Sequence, residues 1–211
     1  MQKYIIFDLD GTLIDSMPVW RNTGRRYLET HCIPVPENLM SVLKKQTLPQ
    51  TAEFFRTELG ATQSVEEICD EVISYVAEQY ANHIPLKENV KAYLEAEQKK
   101  GTKMCILTAS EASYIHLALE RLEILPYFDF VTTCTDMGMG KENPEVFRLM
   151  MEKLGGNLEN TIVFEDAYYA MKSAKALGLQ VYAIADESAQ RETEKIQAIA
   201  DRYIYNYKEL L

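Results

Sequence analysis

Short runs of β-branched and large apolar residues recur along the chain, at Tyr4 to Phe7, Met104 to Leu107, Phe130 to Thr133, Thr161 to Phe164 and Val181 to Ile184. Runs of this kind read as buried strands of a parallel sheet. Between the last four, the apolar positions change to helical spacing. Ile115, Leu119 and Leu122 share one face, as do Phe147, Met150, Met151 and Leu154, and then Ala170, Met171, Ala174 and Leu177. Strand and helix in alternation predict βαβ winding and an α/β fold, a Rossmann-like parallel sheet core with helices on both faces. Helix ends carry their own marks. Asn143 before Pro144 is an N-cap with proline at the first helical position, and Gly155 and Gly178 stand where two helices must stop.

The interval from Gly11 to Lys103 breaks the alternation, because it holds helical patterns and no convincing strand. Its clearest helix presents Val65, Ile68, Val72, Ile73, Val76 and Tyr80, and Ser64 with Glu67 forms a capping box at its start. Residues 16–84 are therefore expected to form a small all-helical cap inserted into a catalytic core of residues 1–15 and 85–211. The chain would leave the core near Asp15 and re-enter near Pro85, which makes the insert a lid. No repeat, low-complexity tract or long flexible linker is evident, so two rigid pieces on short hinges are expected.

Composition narrows the classes of partner. The 211 residues suffice for one α/β domain with a small insertion. With 32 acidic against 22 basic residues, the formal charge of -10 repels nucleic-acid backbones and anionic lipid, so neither nucleic acid nor membrane is expected as a partner. No apolar run approaches a membrane span or a signal-peptide core, the first being only Tyr4 to Phe7. Cys32, Cys69, Cys105 and Cys134 are scattered without a CxxC pair and read as reduced core thiols of a cytoplasmic protein. His31, His83 and His116 lack zinc-site spacing.

Acids gather where two of the runs end. YIIFDLDGT places Asp8 and Asp10 after the first, and TIVFED places Glu165 and Asp166 after the fourth. In open α/β sheets ligands bind beyond the carboxyl ends of the strands, so the four acids converge there if the sheet forms. Crowded carboxylates need a compensating cation, and an all-oxygen set favours a hard ion such as Mg2+. The run MCILT ends at Thr108, followed by Ala109, Ser110 and a helix, which offers a hydroxyl and free N–H groups to a phosphate. Lys141, in GMGKENPEVF, adds a point charge. Taken singly each feature has a plain reading: a turn with solvated acids, an ordinary strand end, a surface lysine beside a helix. Together they describe a phosphoryl-transfer site.

FDLDGT, Thr108, Lys141 and Glu165-Asp166 resemble, in order and spacing, the four motifs of the haloacid dehalogenase superfamily. The resemblance spans nearly the whole chain, in the branch with a helical cap after the first motif, similar to beta-phosphoglucomutase and phosphoglycolate phosphatase. It implies that Asp8 is a nucleophile forming an aspartyl-phosphate and that Asp10 is the acid/base. It implies that Mg2+ is held by the carboxylates of Asp8 and Asp166 and the backbone carbonyl of Asp10, with Glu165 a ligand or one shell out. Thr108, Ala109 and Lys141 would hold the phosphate. An acid at position 10 disfavours carbon–halogen cleavage.

The expected function is a magnesium-dependent phosphatase of a small phosphorylated metabolite such as a sugar phosphate, acting as a monomer or weak homodimer. The alternatives are a phosphohexomutase and a non-catalytic module that binds a phosphometabolite. Met17, Trp20, Lys44 and Lys45 are candidate contacts between cap and substrate, but Leu48 and Trp20 stand where the mutase pattern has arginine and histidine. Glu142 replaces a usual proline, and Ala167 and Ala170 replace serine and glycine, the first removing a hydroxyl that could orient metal carboxylates.

Overall fold

The computed structural model describes residues 2–43 and 46–211. Six parallel strands form one sheet in the order β3-β2-β1-β4-β5-β6: β1 (Tyr4–Phe7), β2 (Lys103–Thr108), β3 (Phe130–Thr133), β4 (Thr161–Glu165), β5 (Gln180–Ile184) and β6 (Arg202–Ile204). This is the Rossmann-like α/β sheet that the alternation predicts. β6 is the strand the pattern did not announce, since the three residues Arg202, Tyr203 and Ile204 are too few to show a period. From β1 the chain winds outward to β2 and β3, then returns to the other side of β1 as β4. That reversal creates a switch point at the carboxyl end of β1.

Successive strand residues point to opposite faces, and each face has its own cover. Ile6, Cys105, Leu107, Val163, Val181 and Ala183 pack with residues of α8 (Pro144–Leu154), α9 (Tyr168–Leu177) and α10 (Thr193–Ile199). On the other face, Phe7 and Phe164 meet Tyr93 of α5 (Val90–Lys99), with ring centroids 6.4 and 5.6 Å apart. Tyr207, in the last turn of the chain, stacks on Phe164 at 5.9 Å and 10° and lies 5.3 Å from the Tyr93 ring. α6 (Ala112–Arg121) buries Ile115 and Leu119 as expected. Asn143 caps α8 by accepting a hydrogen bond from the Glu145 N–H (3.1 Å), Pro144 opens the helix, and Gly155 closes it.

The chain divides into two compact units, Met1–Ser16 with Ile84–Leu211, and Met17–His83. In the first unit the outgoing and returning segments run beside each other. Asp15 N–H donates to Pro85 O and Lys87 N–H to Leu13 O, both 2.9 Å, around an antiparallel bridge between Ile14 and Leu86.

The second unit is helical: α1 (Met17–Thr30), α2 (Leu39–Leu43), α3 (Leu48–Leu59) and α4 (Val65–Asn82). It has a core of its own in which Tyr27, Leu28, Phe55, Ile68 and Val72 are buried. Ser64 and Glu67 form the capping box read from the sequence, and Thr47 with Gln50 forms a second one at α3. Ile73 is exposed, because its position turns it off the stripe set by Ile68, Val72, Val76 and Tyr80. Among the described residues no helix is long and apolar enough to cross a membrane.

Candidate active site

The loop after β1 is built to present two acids. Asp8 N–H donates to Phe164 O (2.9 Å), which carries the β1–β4 pairing one residue beyond the strand. Gly11, at φ +80°, turns the chain back so that its N–H reaches Ile14 O (2.9 Å). A side chain in that left-handed conformation costs about 1–2 kcal/mol, hence glycine. Beneath the loop, the Tyr207 hydroxyl donates to Thr12 O (3.2 Å) and the phenol is fully buried.

Asp8, Lys141, Glu165 and Asp166 meet at the switch point, and all four are buried. Glu165 is the last residue of β4 rather than the first beyond it. The Lys141 ammonium donates to Asp8 Oδ1 and to Glu165 Oε2, the latter at 2.9 Å. Glu165 Oε1 accepts the N–H groups of Asp166 (3.2 Å) and Ala167 (3.1 Å). The opposite oxygen of Asp8, Oδ2, is buried without a hydrogen-bond partner among the described residues, as is Thr12 Oγ1.

Burial raises the Asp8 carboxyl, and the nearby Glu165 charge raises it further, to about 7 despite Lys141. Asp166 is held well above its ordinary value by burial, then by Glu165 and Asp8. Burial alone would depress the Lys141 ammonium, but Asp8 and Glu165 together raise it. Carboxylate oxygens of Asp8, Glu165 and Asp166 lie within 4.8 Å of one another. Three carboxylates against one ammonium leave two negative charges uncompensated when all are ionised. Two excess charges, oxygen donors only and an orphaned buried oxygen fit a hard divalent cation such as Mg2+.

Asp10 sits outside that cluster, in a nest of hydroxyls. Its Oδ1 accepts from Ser16 Oγ (2.6 Å), and its Oδ2 from Ser110 Oγ (2.7 Å) and Thr108 Oγ1 (3.2 Å). Thr108 Oγ1 in turn accepts the Ser110 N–H (3.0 Å). The hydroxyl that sequence reasoning aimed at phosphate is therefore on Asp10 in this structure, while Ala109 between the two hydroxyl residues is exposed. Ser16 escaped sequence reasoning altogether, because a serine just ahead of a helix looks like an ordinary helix start. Ser110 was read only as a neighbour of Thr108, although its side chain makes the shorter contact.

Of the remaining candidates, Met17 and Trp20 are half-buried in the helical unit. The Trp20 indole N–H donates to the Tyr80 hydroxyl (2.9 Å), with the two rings edge to face at 6.4 Å. Lys44 and Lys45 lie outside the described residues. All four cysteines are free, but only Cys105 is a core thiol. Cys69 and Cys134 are half-buried, and Cys32 is exposed at a φ of +54°, in a turn that apolar spacing does not register. His31 meets Glu71 (2.8 Å) and His83 meets Glu78 (2.9 Å).

Residues 5–184 match the haloacid dehalogenase-like hydrolases as a family. The chain belongs to that family. A phosphorylated carbohydrates phosphatase of Thermotoga maritima is 28% identical to this hydrolase, over 98% of this chain and 99% of that protein. Validoxylamine A 7'-phosphate phosphatase of Streptomyces hygroscopicus is 30% identical over 85% of this chain and 84% of its own. Among solved structures, a Thermotoga maritima protein provisionally assigned as a beta-phosphoglucomutase superposes with a TM-score of 0.82 at 24% identity, covering 96% of this hydrolase and 94% of that protein. At that identity the superposition speaks for the fold.

Proposed function

We propose that this hydrolase is a phosphatase of phosphorylated carbohydrates that works through an aspartyl-phosphate on Asp8, with Asp10 as its acid/base. The observation that carries the reading is the different surroundings of two acids two residues apart. Asp8 lies in the buried cluster with Lys141, Glu165 and Asp166, and Asp10 is held by the hydroxyls of Ser16, Thr108 and Ser110. Two carboxylates in such unlike environments suit two roles, nucleophile and proton carrier.

In the first step Asp8 forms a bond to phosphorus as the bond from phosphorus to the sugar oxygen breaks, and Asp10 gives that oxygen its proton. In the second, Asp10 takes a proton from water as the water oxygen attacks phosphorus, and phosphate leaves with Asp8 restored. Lys141 keeps its charge throughout and balances the transferring group. Thr108 and the Ala109 N–H are the proposed phosphate contacts. Asp8, Asp166 and the Asp10 carbonyl, with Glu165 beside them, would hold Mg2+, which when bound would supply positive charge to balance the transferring group. Both oxygens of Glu165 already have protein partners, which favours a place one shell out.

The carbohydrate class rests on the named activities of the two phosphatase relatives. A panel of sugar phosphates with Mg2+ tests the reading: phosphate should be released from at least one, and Asp8→Asn, folded as judged by its melting curve, should release none. Turnover at the wild-type rate in that variant would remove Asp8 as nucleophile. Isomerised sugar phosphate outrunning free phosphate would make the chain a mutase.

A further inference from the structure

A threonine hydroxyl has one proton, so it can donate to only one acceptor at a time. In this structure Thr108 spends that proton on Asp10 Oδ2 while its oxygen receives the Ser110 N–H. If Thr108 is to donate to a phosphoryl oxygen, as the function proposed above requires, it must let go of Asp10. Something else has to keep that carboxylate in place at the moment the proton moves. Ser16 and Ser110 are arranged for this. Ser16 holds Oδ1 at 2.6 Å and Ser110 holds Oδ2 at 2.7 Å, both closer than Thr108 at 3.2 Å, and both serines are buried.

We propose that Ser16 and Ser110 are the positioning residues of this enzyme's acid/base, gripping one oxygen of Asp10 each so that Thr108 is released to the substrate without setting the acid adrift. The inference rests on the reading of Asp10 as proton carrier. Each serine hydroxyl can rotate from donor to acceptor, so the grip holds Asp10 in its ionised and its protonated form. Ser16 comes from the loop after β1 and Ser110 from the loop after β2, so the two halves of the grip follow adjacent strands.

Proton delivery matters in proportion to how poor the leaving group is, which gives the test its specificity. Ser110→Ala and Ser16→Ala would be assayed with Mg2+ for kcat/KM on phenyl phosphate and on p-nitrophenyl phosphate, whose leaving oxygen needs little help. On phenyl phosphate each variant should lose about tenfold, the size expected for one hydrogen bond to a charged group. On p-nitrophenyl phosphate the loss should stay within about twofold, and neither variant should lose further activity in an Asp10→Ala background. Equal losses on both substrates, or none on either, in variants with wild-type melting curves would overturn the positioning role and leave the phosphatase reading standing. A wild-type enzyme that hydrolyses neither ester nor any sugar phosphate would overturn both.

Discussion

Lys141 is a single ammonium with two buried carboxylates leaning on it, Asp8 and Glu165. Removing one member of such a set leaves its partners desolvated and uncompensated, which costs about 3–5 kcal/mol. Lys141→Met should therefore lower the melting temperature, and phosphate release should fall by about 10²–10³-fold, the scale of losing one charge-stabilising contact. Arginine should not rescue it, because a planar fork cannot replace a compact charge lodged between two carboxylates. A melting curve and a turnover measurement on each variant decide both points. This residue also shows how far the chain could be read unaided. GMGKENPEVF announces a lysine ahead of a helix, and the strand ends announce the acids. That Lys141 pairs with a carboxylate 133 positions away is a fact of sheet order, which no local pattern encodes. Ser16 lay further out of reach, because only the completed turn after β1 brings its hydroxyl to Asp10.

Elements place these side chains. α8 begins three residues after Lys141, and its first turn is fixed by Asn143. Asn143→Ala should cost about 1 kcal/mol of stability. Because the same cap sets where Lys141 enters the site, phosphate release should fall with it. Ser64→Ala, at the start of α4 in the helical unit, should cost a similar amount of stability and leave the site cluster untouched. Comparing the two variants separates capping from positioning. These boundaries were legible because caps and proline act locally. β6 was not, since a three-residue edge strand is defined by its pairing with β5.

Glu97, in the last turn of α5, is a buried carboxylate that accepts from Thr102 (2.7 Å), Lys3 (3.1 Å) and Lys100 (3.0 Å). Burial pushes its carboxyl up, but these three partners outweigh burial and hold it below the ordinary 4.5. A carboxyl depressed by folding contributes stability that is present above its unfolded value and fades as pH falls through the folded one. The melting-temperature gap between wild type and Glu97→Gln should be full near neutrality and shrink as pH falls below the ordinary 4.5. A gap that stayed constant into acid would show that the ion pairs are not what holds this corner.

At the scale of the whole molecule, the buried cluster predicts a stability that depends on both pH and metal. Asp8 and Asp166 have carboxyls raised by folding, so the stability they contribute is full below their ordinary 3.8 and is lost as pH rises, for Asp8 through about 7. A divalent cation bound at the cluster would reverse this, because it binds the ionised forms. In EDTA the protein should lose stability from about pH 4 to about pH 7, the span between the ordinary and the folded Asp8 values, and the rise in melting temperature on adding Mg2+ should grow over the same range. A metal effect that is flat with pH would argue that the cation binds elsewhere.

The family match stops at residue 184, yet the phenol beneath the Asp8–Asp10 loop belongs to Tyr207. Motif inspection would pass a protein cut back to Ile204 as intact, since every acid, hydroxyl and lysine would still be written in it. The tail is a buttress, and taking it away should leave a chain with a complete catalytic inventory and a sagging floor. Tyr207→Phe, which keeps the ring stack and deletes one hydroxyl, should melt near wild type but turn over more slowly. The shortened chain should fail on both counts.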